Sequence, residues 1–379
     1  MSNGVRPETA RSAVVSVSLR DFRSYERANV VLGTGLTVVS GRNGAGKTNL
    51  LEGLYFGCVG RSCRTSNERE VVRFGAPLTR VEVHTRDRHG DAHVLAVGFE
   101  PGAGKKVRVD GAAVERLLDA PARPLVGVFL PDRLELVKGA PALRRAHLDQ
   151  VVAALWPARA GTRGEYARAL AQRNALLGRI RAGAASRASL PAWDAELAHH
   201  GVALMADRGQ AVENLAERFV ARAADLGLDG AIGLRYRPRS QAAEASALAA
   251  ELAERVESDL ERGFTGHGPH RDELVLEREG RELRAYGSQG QQRLALLALL
   301  LAERAAVGEA RGALPLMLLD DVMSELDADR RRRLVELLRA GGQSVITTTD
   351  LAHVPTAEDG DVVRLAVANG AVLQGARAA

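Results

Sequence analysis

The stretch "GRNGAGKT", residues 41–48, decides the fold, because it follows the apolar run "GLTVVS" and precedes "NLLEGLYFGCVG". Gly41, Gly46, Lys47 and Thr48 fit a P-loop, whose backbone N–H groups wrap phosphate oxygens at a helix N-terminus. Lys47 then reaches the β- and γ-phosphates as a compact charge, and the Thr48 hydroxyl ligates Mg²⁺. The order strand, loop, helix separates this reading from a chance glycine-rich turn. Composition adds weight: of 52 basic residues only four are lysine (47, 105, 106 and 138), yet one fills the P-loop slot that needs a point charge.

A chain of 379 residues, 46% hydrophobic, can bury a full core and is expected to form two lobes. Its longest apolar runs, such as "LALLALLLA" at 294–302, are too short to span a bilayer. The opening "MSNGVRPETARS" has no hydrophobic signal core, so a cytoplasmic protein with a disordered tail over 1–12 is expected. Cys58 and Cys63 have no partners elsewhere and read as reduced, packed thiols. A net charge of +5 permits a nucleic-acid partner without requiring one. At 4% aromatic the chain has few rings on which to stack unpaired bases, so arginine and lysine contacts to duplex phosphates are the more plausible mode.

The expected fold is α/β, with a mixed sheet around the P-loop, additional antiparallel strands and an inserted, mainly helical lobe. Short β patterns run from Val14 to about Gly127. Ala/Leu/Arg/Glu-rich helical periodicity follows from about Ala142 to Gly263. Its apolar positions do not sustain heptads, which predicts packed helices or a short arm. "RIRAGAASRASLP" is the candidate mobile connection, and "DELVLEREGRELRAY" reads as a hairpin. The expected division is 13–128 with 305–379 as the ATP-binding lobe and 129–304 as the helical lobe.

The strand "LPLMLLDD" ends in two acids: Asp320 matches a Walker B carboxylate that helps hold Mg²⁺, and Asp321 could position or deprotonate the attacking water. "GSQGQQR", residues 287–293, is a polar glycine loop feeding a helix, and Ser288 with the Gly290 N–H makes a second phosphate-binding surface. One nucleotide does not need two clamps from one chain, so the economical arrangement is a dimer in which each clamp faces the partner's ATP. Asp327 is a candidate cap for the helix after "SELD".

The motif order resembles the ATP-binding cassette superfamily, within it the SMC-type heads, and most closely the RecF family. Its carriers are "LRDFRSYE" (19–26), "GRSCRT" (60–65), "LRRAHLDQ" (143–150), "QRNALL" (172–177), "GPHRDEL" (268–274), "YGSQGQQR" (286–293) and "LLDDVMSELD" (318–327), besides the P-loop. The resemblance implies an ATP- and Mg²⁺-dependent homodimer that binds double-stranded DNA and single/double-strand junctions. It also implies slow, DNA-stimulated ATP hydrolysis and work with RecR, RecO and RecA in recombinational repair, with no membrane role. Carried over by position, Gly41, Arg42, Asn43, Gly44, Ala45, Gly46, Lys47, Thr48 and Asn49 hold the phosphates. Thr48 and Asp320 serve the metal, Lys47 and Asp321 serve hydrolysis, and Ser288, Gly290, Gln291 and Asp327 meet the partner's ATP.

Departures from the wider cassette pattern matter. Asp321 stands where glutamate is usual, one methylene shorter, which predicts turnover below the usual range of about 1 to 10³ per second. Leu130 and the threonines of "TTTD" stand near where transporters carry a glutamine and a switch histidine. Rival readings are a transporter ATPase subunit, an SMC-like head, and a scaffold that binds ATP without useful hydrolysis. Weaker signals are the H-x-x-H pair His267 and His270, read as a structural or dimer-contact loop, and the basic runs at 86–89, 104–109 and 330–333. Arg23 and Tyr25 either flank the adenine or are simply packed.

Overall fold

The computed structural model describes residues 13–117, 120 and 123–374, so the tail over 1–12 lies outside the described residues. The chain divides into two compact units, Met1–Asp132 with Val307–Ala379, and Arg133–Ala306. The boundary near 306 falls inside one long helix, Gln289–Arg311.

The first unit contains two six-stranded sheets. The antiparallel one is built from β1 (Ala13–Phe22), β2 (Tyr25–Val31), β4 (Thr79–Arg86), β5 (Ala92–Glu100), β6 (Gly104–Val109) and β7 (Ala112–Val114), in the order β2-β1-β4-β5-β6-β7. Its residues alternate: in β4, Thr79, Val81, Val83 and Thr85 are buried while Arg80, His84 and Arg86 are exposed. The other sheet contains β3 (Leu36–Ser40), β8 (Val126–Phe129), β12 (Leu316–Leu319), β13 (Ser344–Thr348), β14 (Val363–Ala368) and β15 (Ala371–Gln374), in the order β15-β14-β3-β13-β12-β8. All its pairings are parallel except β14 with β15. Its central strands β12 and β13 are continuous runs of apolar residues, threonine and one serine, all buried, as parallel strands covered on both faces must be.

Helix α1 (Lys47–Val59) follows the P-loop and shares one apolar core with strands of both sheets. Gly57 makes this approach possible, because a Cβ there would lie 2.4 Å from a Val83 methyl. Both cysteines are free, and burial pushes the Cys58 thiol up to about 12, so it packs as an inert apolar group.

The second unit is mainly helical: α2 (Glu135–Lys138), α3 (Pro141–Leu155), α4 (Thr162–Arg181), α5 (Leu190–Asp225), α6 (Ala245–Ala253), α7 (Val256–Arg262), α8 (Leu283–Tyr286) and the start of α9 (Gln289–Arg311). A small antiparallel sheet, β11-β10-β9, adds β9 (Ile232–Arg237), β10 (Glu273–Arg278) and β11 (Arg281–Glu282). The hairpin read from "DELVLEREGRELRAY" is therefore short. Residues 283–286 turn into α8 instead, held by the Gln292 amide, which donates to the Leu283 carbonyl at 2.9 Å.

Helix α5 runs 36 residues, about 54 Å. Its buried positions include 190, 194, 197, 201, 204, 208, 211 and 215, alternating steps of four and three, which is a heptad spacing. Hydropathy conceals it because three of those positions are Asp194, Gly201 and Arg208. Helix α4 packs against α5 in antiparallel fashion, Tyr166 lying beside Gly201 and Arg173 bonding Asp194.

Candidate nucleotide site

In the first unit the chain places the P-loop between the end of β3 and the start of α1. Gly46, the helix N-cap, has φ 114°, a backbone conformation that favours glycine. Its carbonyl accepts a hydrogen bond from the Tyr25 hydroxyl at 2.9 Å. Tyr25 is fully buried, and burial pushes its phenol above the ordinary range. Its ring has no face free for an adenine, which resolves the open alternative in favour of packing. Arg23 is likewise engaged, donating two bonds to the buried Glu52 at 2.7 and 2.9 Å.

Glu52 gathers two of the sequence stretches that lie apart along the chain. From "GRSCRT", Ser62 donates to its carboxylate at 2.6 Å and Arg64 at 3.0 Å. Arg64 also donates to Asn49 Oδ1 at 3.1 Å, and Asn49 Nδ2 donates to Ser24 Oγ at 3.0 Å. These two stretches thus brace the first turns of α1. Residues 42–44 remain exposed at the loop crest. Lys47 is buried, its ammonium donating to the carbonyls of Gly41 (2.7 Å) and Arg42 (3.1 Å).

The decisive geometry crosses 272 residues: the Thr48 hydroxyl donates to Asp320 Oδ2 at 2.7 Å. Strand order explains it, because β13 lies between β3 and β12 and brings the ends of the two motif strands together. Thr347 on β13 donates to Asp320 Oδ1 at 2.6 Å and accepts the Asp321 N–H at 2.9 Å. Thr347 is a residue that reading by analogy to a switch histidine missed; no sequence signal marks it, because its role comes from β13 lying beside β12. A hydroxyl and a fixed carboxylate converging in this way offer hard oxygen donors, which suit Mg²⁺.

Asp321 has φ 46°, left-handed for a non-glycine residue. One oxygen accepts from Ser324 at 3.0 Å, while Oδ1 is buried without a hydrogen-bond partner. A buried orphan acceptor beside a metal-suited pair fits an incoming water, because it costs about 1–3 kcal/mol when left unpaired. Leu130 is buried just beyond β8 and offers no polar group. Asp327 caps α10 (Ala328–Arg339), accepting the Arg330 N–H at 2.9 Å.

Ser288, Gly290 and Gln291 belong to the second unit, at the head of α9. Ser288 and Gln291 form a reciprocal capping box: the Gln291 N–H donates to Ser288 Oγ at 3.3 Å, and the Ser288 N–H donates to Gln291 Oε1 at 2.9 Å. The S-x-x-Q spacing signals this cap, which reading the loop only as a phosphate clamp overlooks. His267 and His270 diverge: His267 bonds Glu251, whereas His270 bonds the Tyr166 hydroxyl at 2.7 Å and the Thr265 carbonyl at 2.9 Å.

Comparison with known proteins shows the family and the fold. A family model described as an AAA domain matches residues 16–118. The chain is 40% identical to the DNA replication and repair protein RecF of Anaeromyxobacter sp., over 95% of this chain and 98% of that one. It is 38% identical to the protein of the same name from Myxococcus xanthus, over 95% and 96%. The chain belongs to the RecF family.

A structure of the recombination mediator protein RecF with ATP superposes with a TM-score of 0.86 at 26% identity, covering 98% of this chain and 100% of that one. An SMC head bound to the C-terminal winged-helix domain of ScpA superposes at 0.59 and 16% identity, which shows a shared fold. This RecF-family chain thus has the ABC-type ATPase head fold that its motif order implies, within a family named for DNA replication and repair. Among the described residues no helix is long and apolar enough to cross a membrane.

Proposed function

We infer that the chain is an ATP-operated DNA-binding protein of recombinational repair. The observation that carries the ATP-operated part is the Thr48–Asp320 contact at 2.7 Å, with Asp320 fixed from its other side by Thr347, and the DNA-repair part rests on the 40% identity to a RecF protein over nearly the whole chain. Gly41, Arg42, Asn43, Gly44, Ala45, Gly46, Lys47 and Asn49 form the phosphate cradle, and Thr48 with Asp320 would hold Mg²⁺. The ion, when bound, neutralises charge that develops on the transferred phosphoryl group. Asp321 accepts a hydrogen bond from the attacking water through its unpaired oxygen. Its short side chain and left-handed backbone support slow, weak hydrolysis, which suits a resetting switch.

Ser288, Gly290, Gln291 and Asp327 of one copy face the nucleotide of a second, so that ATP closes a homodimer. That dimer clamps double-stranded DNA at junctions with single-stranded gaps, hydrolyses ATP with DNA stimulation, and works in the cytoplasm beside RecR, RecO and RecA. Identity to RecF proteins over nearly the whole chain favours this reading over a transporter subunit or an SMC head.

Fluorescence anisotropy of a labelled duplex, with and without ATP–Mg²⁺, tests it on the native chain and Ser288→Arg. The expected result is ATP-dependent binding that the variant loses. Binding that ignores both nucleotide and variant would sink the dimer clamp.

A further inference from the structure

The antiparallel sheet of the first unit buries one face, which carries Leu19, Ala28, Val81, Val97 and Val107. On the other face, residues opposite one another form rows across the strands. One such row runs Arg27, Arg20, Arg80, Gly98, Lys106, each the register partner of the next, from β2 through β1, β4 and β5 to β6. All four cations are exposed, Arg20 at 64% and Arg80 at 57% of the side chain. Like charges placed directly opposite destabilise a sheet, so packing gives no reason for this row. Glu82 pairs with Arg80, and Asp21 lies 3.9 Å from Arg20. Arg27 and Lys106 have no carboxylate partner among the described residues.

Side chains around the row complete the surface. The neighbouring row reads Asn29, Ser18, Glu82, Ala96, Arg108, mostly short groups that leave the face low, with a further cation at one end. Gly98 leaves the first row open between Arg80 and Lys106, since nothing lies closer than 3.8 Å to where its Cβ would be. Neither row contains an aromatic ring, so the face has no platform for stacking unpaired bases. Four strand spacings of about 4.8 Å give a row about 19 Å long, which covers about five or six phosphates of one DNA strand at about 3.4 Å each along the axis.

We propose that this cross-strand row binds the phosphate backbone of duplex DNA, independently of sequence. The proposal rests on the DNA-binding reading above and locates one contact surface for it. Of the linear basic runs, 104–109 contributes Lys106 and Arg108 to this face, whereas the run at 86–89 is tied up in its own turn: Arg86 donates to the Gly90 carbonyl, and Asp87 accepts the N–H groups of His89 and Asp91.

The test measures duplex affinity by anisotropy, with ATP–Mg²⁺ present, across a salt series. It compares the native chain, a triple variant (Arg20→Gln, Arg27→Gln, Lys106→Gln) and a charge-conserving triple (Arg20→Lys, Arg27→Lys, Lys106→Arg). The neutral triple removes three phosphate contacts and is expected to lower the slope of log affinity against log salt by about 2.7. Between about 50 and 200 mM salt it should therefore lose about 40-fold less affinity than the native chain. The charge-conserving triple should keep the native slope, and all three should bind ATP equally, which also checks folding. A neutral triple with native slope and affinity overturns the row while leaving DNA binding intact, and so does a loss confined to single-stranded DNA. A native chain that never binds duplex removes the underlying reading as well.

Discussion

In the first unit most of the deepest positions are apolar, Val17, Phe56, Val83 and Leu318 among them, and the buried polar ones are chiefly hydroxyls such as Thr37, Thr79, Ser344 and Thr347, beside the carboxylate of Glu52. In the second unit the largest fully buried side chain is an arginine. Arg173 of "QRNALL" donates to Asp194 (2.6 Å), Asp259 (2.7 Å) and Thr265 (2.8 Å), joining α4 to α5, α7 and the loop that follows. Arg208 on α5 bonds Asp149, Asp272 and the Pro269 carbonyl; Arg144 on α3 bonds Glu273 in a two-pronged fork. The motifs that mark the family in this unit, "QRNALL" and "GPHRDEL", are thus largely scaffold. Buried ion pairs fix which helix meets which more tightly than oil-like packing can, at a desolvation cost that interchangeable apolar residues would avoid.

The comparison predicts its largest effect at Arg173. Arg173→Ala leaves two buried carboxylates unpaired and should destabilise the second unit by about 3–5 kcal/mol. Arg173→Lys should fall between, because a point charge cannot reproduce the fork. Both tryptophans, Trp156 and Trp193, lie in this unit, so tryptophan fluorescence during urea unfolding reads it directly. A loss below about 1 kcal/mol would mean that apolar packing holds both units alike.

Next in size is a pH effect carried by His270. Burial pulls its imidazole down to about 4 from an ordinary 6.5, and its bonds, accepting from Tyr166 and donating to Thr265, suit the neutral ring. A depressed folded-state histidine means that the unfolded chain binds more protons between those two values. Stability is therefore full above about pH 6.5 and is lost as pH falls toward about 4, roughly 1–2 kcal/mol of it between pH 7 and 5. His270→Gln should flatten that part of the urea-midpoint profile. An unchanged profile would assign the pH dependence to other groups.

These residues explain what could be read from sequence and what could not. The P-loop and Walker B strand were legible because each chemistry-bearing residue sits at fixed spacing from an apolar strand, and spacing survives without coordinates. Thr347 was not legible, since its role comes from strand order alone. The heptad spacing of α5 was hidden because Asp194 and Arg208, polar by composition, occupy core positions and are satisfied by partners distant in sequence, Arg173 and Asp149. Tyr25 was ambiguous for a related reason: an aromatic beside a P-loop can meet a base or a backbone carbonyl, and only burial decides.

The smallest effect tests the local devices of the first unit. Asp327 was legible as a helix cap, and its side chain, 56% exposed, accepts the Arg330 N–H and lies 3.2 Å from the Arg330 guanidinium. Asp327→Ala should cost about 1 kcal/mol, because an exposed cap exchanges one protein hydrogen bond for one to water. Asp327→Ser keeps a capping oxygen and should recover most of that loss in a thermal melt, since the charge pair with Arg330 is exposed and contributes little. The two substitutions also separate capping from the proposed contact with a partner's nucleotide. If the serine variant melts like the native chain yet loses ATP-dependent duplex binding, the carboxylate acts across the dimer. If it keeps that binding, Asp327 serves α10 alone, and the nucleotide contacts of the second copy narrow to Ser288, Gly290 and Gln291.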